Sequence, residues 1–144
     1  MTGGLDVVNL ATSPPIKSST ASLSSLTASV TGIVYDPPSL AVFYATSTQQ
    51  NAIYSFNPDT GGIQTIRVGI NPYSLGYNYQ TGTLLTINST SNTSSVVDSQ
   101  NLKTRQTLGI SSLSQFAIAV DNFTNTGVIV DQNNNRVVFL GLPK

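Results

Sequence analysis

Short apolar runs alternate with polar turns along most of this chain. The stretch from Gly32 reads GIVYDPPSLAVFYATSTQQNAIYSF, in which β-branched and aromatic runs are separated by turns rich in Pro, Ser and Gln. Runs of this length, bounded by such residues, predict β-strands. The best helix candidate, Ser19–Val30, is rich in Ser and Thr, which favour caps and turns, so we expect a loop or one short turn there. The sequence therefore predicts an all-β protein.

The strand pattern recurs three times along the chain. In each copy the first strand ends at a polar residue, Asp36, Asn78 or Asp121, and these residues are 42 and 43 positions apart. A short turn, a second strand, a polar hairpin and a third strand follow, and the first two copies continue into a fourth strand. Four antiparallel strands at this period are typical of a β-propeller blade. A β-sandwich is the competing fold, but it does not require strand order and turn chemistry to recur.

Two segments carry a family resemblance. INPYSLGYNYQTGTLLTINS (Ile70–Ser89) and DQNNNRVVFLGL (Asp131–Leu142) resemble the β-propeller repeats of the NHL and YVTN type. The resemblance extends from about Val30 to the C-terminus and, more faintly, over Leu5–Ser19. It implies the architecture more strongly than an activity. Propeller lactonases and gluconolactonase-like enzymes are similar in fold, and a fragment of such an enzyme is the alternative interpretation.

The strand count predicts an incomplete ring. Residues 1–29 are expected to hold strands of a partial blade and a linker, and residues 30–144 three blades, at about 30–69, 70–112 and 113–144. The third of these has no outer strand. Propeller rings have roughly four to eight blades, so we expect other copies of the chain, or further blades, to complete this one.

Two modes of self-association are compatible with this count. Chains related by a twofold axis would form a ring, and a head-to-tail contact that does not close would form a fibre. In the fibre we expect the first strand of one chain to pair beside the last strand of its neighbour, which is strand addition. The residues predicted to form this contact are Leu5, Val7, Val8, Leu10, Arg136, Val137, Val138, Phe139 and Leu140.

Composition argues against several partners and favours one location. Six basic and six acidic residues give no net charge, which disfavours nucleic-acid binding. No apolar run approaches the roughly 20 residues of a membrane-spanning helix, and no signal peptide is visible. Ser, Thr, Asn and Gln supply 58 of the 144 residues, and Glu is absent. With three glycosylation sequons, this favours an extracellular or cell-surface protein. The predicted acceptors are Asn88, Asn92 and Asn122.

The residue types for most catalytic chemistry are missing. The chain has no His and no Cys, so neither a catalytic triad nor a thiolate metal site can be built. Asp36, Asp59 and Asp121 are expected to cap turns. Asp131 precedes QNNN, but its spacing matches no calcium-binding loop. We therefore expect a non-catalytic structural or adhesive protein with no metal or cofactor.

Three tyrosines leave a ligand-binding alternative open. Tyr73, Tyr77 and Tyr79 alternate within YSLGYNY, so they are predicted to share one strand face. Packing against the neighbouring blade is the preferred interpretation of this strip. A ligand-binding propeller module that stacks a protein or glycan ligand on the strip is the alternative.

Overall fold

The computed structural model describes residues 3–9, 11, 13–23, 30–36, 41–46, 50–57, 60–110 and 115–143. This part of the chain contains β-strands and no helix, as predicted. The strands are β1 (Gly3–Asn9), β2 (Ile16–Leu23), β3 (Val30–Asp36), β4 (Ala41–Thr46), β5 (Ala52–Phe56), β6 (Ile63–Arg67), β7 (Pro72–Asn78), β8 (Thr83–Asn88), β9 (Thr93–Asp98), β10 (Lys103–Gly109), β11 (Gln115–Asp121), β12 (Thr126–Asp131) and β13 (Arg136–Gly141).

These strands form an N-terminal hairpin and three larger sheets. The hairpin is β1–β2, sheet 1 is β3–β6, sheet 2 is β7–β10 and sheet 3 is β11–β13. Within the hairpin and within each sheet, consecutive strands pair antiparallel. Sheets 1, 2 and 3 lie within the three stretches predicted as blades. The sheets form an open series and do not close a ring.

One local prediction was wrong. The stretch Ser19–Val30 was expected to be a loop or a turn, but β2 runs through its first part to Leu23. The reason is pairing with another strand, because β1 lies antiparallel to β2 from Gly3 to Asn9, with one register shift between Val7 and Val8. Residues 24–29 lie outside the described part of the chain.

A repeated turn uses the side chains of Asn and Asp at the strand ends. The side-chain oxygen of Asn78 accepts hydrogen bonds from the backbone N–H groups of Gln80 and Thr81. Asp98 and Asp121 cap the turns that follow them in the same way, and Asp131 accepts a hydrogen bond from the backbone N–H of Asn134. The fourth turn residue then has a left-handed backbone, a conformation that Gly and Asn tolerate. These residues are Gly82, Leu102, Asn125 and Asn135.

The three sheets pack face to face, with their first strands side by side. β7 lies between β3 and β11. Two apolar cores fill the two interfaces, one around Leu84 and Val97 and the other around Leu85 and Ile129. Gly76 on β7 has no room for a side chain, because a Cβ atom there would lie 2.6 Å from Ile118 Cγ2. Adjacent sheets therefore approach most closely at their first strands.

Candidate interaction surface

The face of sheet 3 that points away from sheet 2 is apolar and exposed. Strand pairing places alternate residues of β11, β12 and β13 on this side of the sheet. On the opposite side, Ile118, Ile129 and Val138 pack against sheet 2. Val130, Val137 and Phe139 are 43, 51 and 69% exposed. We call this surface the outer face of sheet 3, and its residues are Ala117, Ala119, Val128, Val130, Val137 and Phe139.

The corresponding face of sheet 2 is covered by sheet 3. Thr126 begins β12 as Thr83 begins β8, and each lies opposite the polar residue that ends the preceding strand. Counting from these residues, Val130 corresponds to Ile87. Val128 corresponds to Leu85 by the same count. Phe139 lies opposite Val128 and Val96 lies opposite Leu85, so Phe139 corresponds to Val96. Leu85, Ile87 and Val96 are at most 1% exposed, because sheet 3 covers them.

Two exposed side chains lie on β3, at the other end of the series, on a face of sheet 1 whose β5 residues Tyr54 and Phe56 are buried. Ile33 and Tyr35 on β3 are 54 and 53% exposed, whereas Val34 between them packs into the core with sheet 2. The counterparts of Ile33 and Tyr35 on β7 are Leu75 and Tyr77, and both of these pack into the interface with sheet 1.

Polar groups connect neighbouring sheets at the ends of the first strands. The Asn78 amide nitrogen donates to Asn125 Oδ1 over 2.8 Å, and the Asn125 amide nitrogen donates to the carbonyl of Leu142. Tyr77 of sheet 2 hydrogen-bonds to Asp36 of sheet 1. Burial, opposed by a hydrogen bond with Ser99 and reinforced by Asp36, raises the pKa of Tyr77 to about 12. The hydrogen bonds of Asn78 and Tyr77 fix the position of sheet 2 relative to its two neighbouring sheets.

Two Asp–Arg ion pairs were not predicted from the sequence. Arg105 contacts Asp98, and Arg136 Nε lies 2.7 Å from Asp131 Oδ2. Burial raises the pKa of Asp98, but hydrogen bonds from Asn101 and Arg105 outweigh this and hold it well below the ordinary value. The pKa of Asp131 is lowered by the same balance, with Arg136 among its donors.

These contacts also account for most of the acidic side chains considered as sites. Asp121 caps its turn as predicted, through the N–H of Phe123. Asp131, weighed as a calcium ligand, is engaged by Arg136. Asp36 is buried at the end of β3, and Asp59 lies outside the described residues. Within the described residues, no three acidic side chains group as a metal site.

The residues predicted for strand addition are distributed over different environments. β13 is an edge strand of sheet 3, as that prediction requires. Val137 and Phe139 lie on the outer face, whereas Val138 and Leu140 pack toward sheet 2 and Arg136 pairs with Asp131. On the N-terminal side, β1 contains Leu5, Val7 and Val8, and Leu10 lies outside the described residues. Pairing between β1 and β13 of another copy stays a prediction.

The three sequons differ in accessibility. Asn88 is fully buried and its amide nitrogen donates to Thr93 and Ser95 within sheet 2. Asn92 is exposed in the turn between β8 and β9. Asn122 is half-buried, and its side-chain oxygen accepts a hydrogen bond from the N–H of Tyr79.

The tyrosine strip is divided between environments. Tyr77 packs in the core between sheets 1 and 2, which matches the preferred packing interpretation. Tyr79 lies after the end of β7 and is exposed. The pairing of β7 with β8 also shifts register between Pro72 and Leu75, which interrupts the alternation that the strip assumed. No described stretch forms a helix of the length and apolarity needed to cross a membrane.

Comparison with known proteins defines the fold. No family model and no curated protein matches the sequence. Many solved structures match, among them Kuenenia stuttgartiensis hydrazine synthase, the mitotic checkpoint complex and the nidogen/laminin complex, each at 14 or 15% identity. Their TM-scores are 0.63, 0.81 and 0.72, and the matches cover 76, 98 and 99% of this chain.

These neighbours include β-propeller proteins, so the chain has a β-propeller fold with an incomplete ring. The chain spans 34, 43 and 61% of the three matched chains, which is less than two thirds of each. At this level of identity the likeness shows the fold alone. The resemblance to NHL-type repeats stays a prediction.

Proposed function

We propose that this chain is a non-catalytic structural or adhesive β-propeller unit, of the NHL-like kind, in a cell-surface or extracellular assembly. Other copies of the chain, in a ring or a fibre, or further blades complete it. The observation that carries this proposal is the outer face of sheet 3, which is apolar and exposed where the equivalent face of sheet 2 is covered. Exposed apolar faces of this kind mark interaction surfaces.

The polar groups of the molecule support a structural role. Asp98 and Asp131 are neutralised by Arg105 and Arg136, and Asp121 is used to cap its own turn. A general acid or base must reach its substrate, whereas these carboxylates are committed to holding turns. The chain also has no His to take that role.

The surface composition supports an extracellular setting. Ser, Thr, Asn and Gln replace the Lys and Glu that usually keep cytosolic proteins soluble. Of the three sequons, exposed Asn92 and half-buried Asn122 present positions that can carry a glycan on the folded protein. Labelling intact cells of the source organism with an antibody against the folded chain tests the location. Signal that appears only after the cells are permeabilised would contradict it.

Sedimentation velocity of the purified chain tests self-association. We expect the average sedimentation coefficient to rise between low micromolar and submillimolar concentration, from that of a 15.2 kDa monomer. Electron microscopy of the concentrated sample would then distinguish rings from fibres. A single monomeric species at every concentration would contradict self-association and leave completion by further blades as the explanation of the exposed face.

A further inference from the structure

Sheet 3 lacks the fourth strand that completes sheets 1 and 2. The third strands of those sheets, β5 and β9, pair with a strand on both sides, and their residues are almost entirely buried. The third strand of sheet 3 is β13, and within the described residues it pairs with β12 alone. The residues of β13 are exposed or half-buried. The edge of β13 is therefore the position that β6 and β10 fill in the other two sheets.

The backbone of β13 directs one row of N–H and C=O groups toward this edge. The N–H of Leu142, just after β13, donates to the carbonyl of Asn125, just before β12. Hydrogen-bonded residues alternate along an antiparallel pair, and the register between β12 and β13 has no shift. Counted back from Leu142, the residues that turn their backbone groups toward the open edge are Val137, Phe139 and Gly141.

The equivalent backbone groups of sheet 2 bind a strand. The N–H of Ile110 donates to the carbonyl of Asn92, so by the same alternation the backbone of Val96 bonds to Gln106 of β10. Phe139 corresponds to Val96 in sheet 3. The backbone groups that Phe139 turns toward the edge thus occupy a position that already holds a fourth strand in sheet 2.

β13 lacks most of the features that keep edge strands from pairing. Native edge strands are usually protected by charged residues, Pro or bulges. The outer strand β10 carries Lys103 and Arg105, and its pairing with β9 has a register shift. In β13 the one charged residue is Arg136, which is engaged by Asp131. The remaining residues, VVFLG, are uncharged and include no Pro, so this edge is suited to accept a strand.

We propose that two copies of this chain pair through their β13 edges, antiparallel about a twofold axis, with Phe139 opposite Phe139 of the second copy. This inference rests on the proposed self-association and names the strand that carries it. In this register Val137 lies opposite Gly141 of the second copy, and the edge-facing groups form about six backbone hydrogen bonds. Cross-strand aromatic pairs stabilise antiparallel strands, and no like charges lie opposite each other.

The pairing joins the two copies of sheet 3 into one continuous sheet. Neighbouring sheets within the chain contact each other mainly through their first strands, so the edge of β13 lies away from the closest packing. Because each copy uses the same strand, the contact is closed and builds a dimer rather than a fibre. Opposite residues of an antiparallel pair share a face, so the two outer faces lie side by side and stay open to further copies or blades.

Sedimentation velocity of charge variants tests this arrangement. Phe139→Lys places two ammonium groups opposite each other at the twofold axis, and Phe139→Glu places two carboxylates there. We expect each variant alone to sediment as a monomer at a concentration where the unmodified chain is a dimer. An equimolar mixture should form a one-to-one heterodimer, because opposite charges then face each other. Val130→Lys is the control and should still dimerise, because Val130 is exposed on the same face but lies on β12.

Each other outcome overturns part of the proposal. If the mixture stays monomeric, Phe139 does not face its own copy, and β13 pairs with another strand such as β1. If Val130→Lys is monomeric as well, the copies bind through their outer faces and not through their edges. If Phe139→Lys associates like the unmodified chain, the contact lies elsewhere. A monomeric unmodified chain overturns the proposed self-association itself.

Disulfide cross-linking gives a second test that needs no charged variant. The chain contains no Cys, so Phe139→Cys carries a single thiol. Under mild oxidation we expect a disulfide-linked dimer, because the Cβ atoms of directly opposite residues lie about 4.5–5.5 Å apart. Val130→Cys is the control and should stay unlinked. Should a charged variant fail to fold by circular dichroism, this experiment decides, and no linked dimer from Phe139→Cys overturns the pairing.

Discussion

Gly76 gives a direct test of how sheets 2 and 3 pack. In Gly76→Ala the new Cβ atom would lie 2.6 Å from Ile118 Cγ2 and 2.7 Å from Val120 Cγ2. Carbon atoms in contact prefer about 3.5 to 4.0 Å. Both neighbours are β-branched and stiff, so β7 and β11 must separate by about 1 Å locally. The substitution therefore loosens the closest approach between the two sheets.

The cost can be estimated from two opposing effects. Overpacking a core by one methyl group typically costs about 1–3 kcal/mol. Replacing Gly by Ala in a compatible backbone stabilises by about 0.4–1 kcal/mol, because the unfolded chain loses freedom. We expect Gly76→Ala to lower the free energy of unfolding by about 1–2 kcal/mol. Urea unfolding followed by circular dichroism measures this, with a lower midpoint and an unchanged slope expected.

Gly109→Ala is the matched control. Gly109 lies in β10, and a Cβ atom there would have no heavy atom within 4 Å. We expect its free energy of unfolding to stay level or to rise by less than about 1 kcal/mol. If Gly76→Ala is as stable as Gly109→Ala, then β7 and β11 do not pack as described.

Three further predictions concern named side chains. The pKa of Tyr77 is raised from 10.0 to about 12, so its contribution to stability should be lost as pH rises from 10 to 12. Tyr77→Phe should lack that loss in urea titrations. Asp98→Ala should lower the free energy of unfolding by about 1–3 kcal/mol at pH 7. The pKa of the Asp98 carboxyl is depressed in the folded chain. The difference in free energy of unfolding between Asp98→Ala and the unmodified chain should therefore shrink as pH falls below 3.8. If the chain is expressed through a eukaryotic secretory pathway, mass spectrometry of the folded protein should find glycan at Asn92 or Asn122 and none at Asn88.

The sequence predicted the repeat because its signals were local. In β7 and β8, apolar residues either alternate with polar ones or follow one another, and turn residues bound each strand. Asn78 and Asp121 mark the equivalent ends of β7 and β11. The ion pair of Arg105 was not predictable, because it depends on an irregular register beside that residue in the pairing of β10 with β9. The outer face of sheet 3 could not be predicted from the sequence, for a similar reason. RVVFLG is apolar at four consecutive positions, so only the pairing of β13 with β12 shows that Val137 and Phe139 point outward.

Sheet 2 is packed on both faces, whereas sheet 3 leaves its outer face exposed. In linear arrays of repeats, each unit is stabilised by its immediate neighbours, so the units with one neighbour open first. Amide hydrogens of β8 and β9 should therefore exchange with solvent more slowly than those of β12 and β13. Covering the outer face of sheet 3 would remove this gradient, because sheet 3 would then be an interior one.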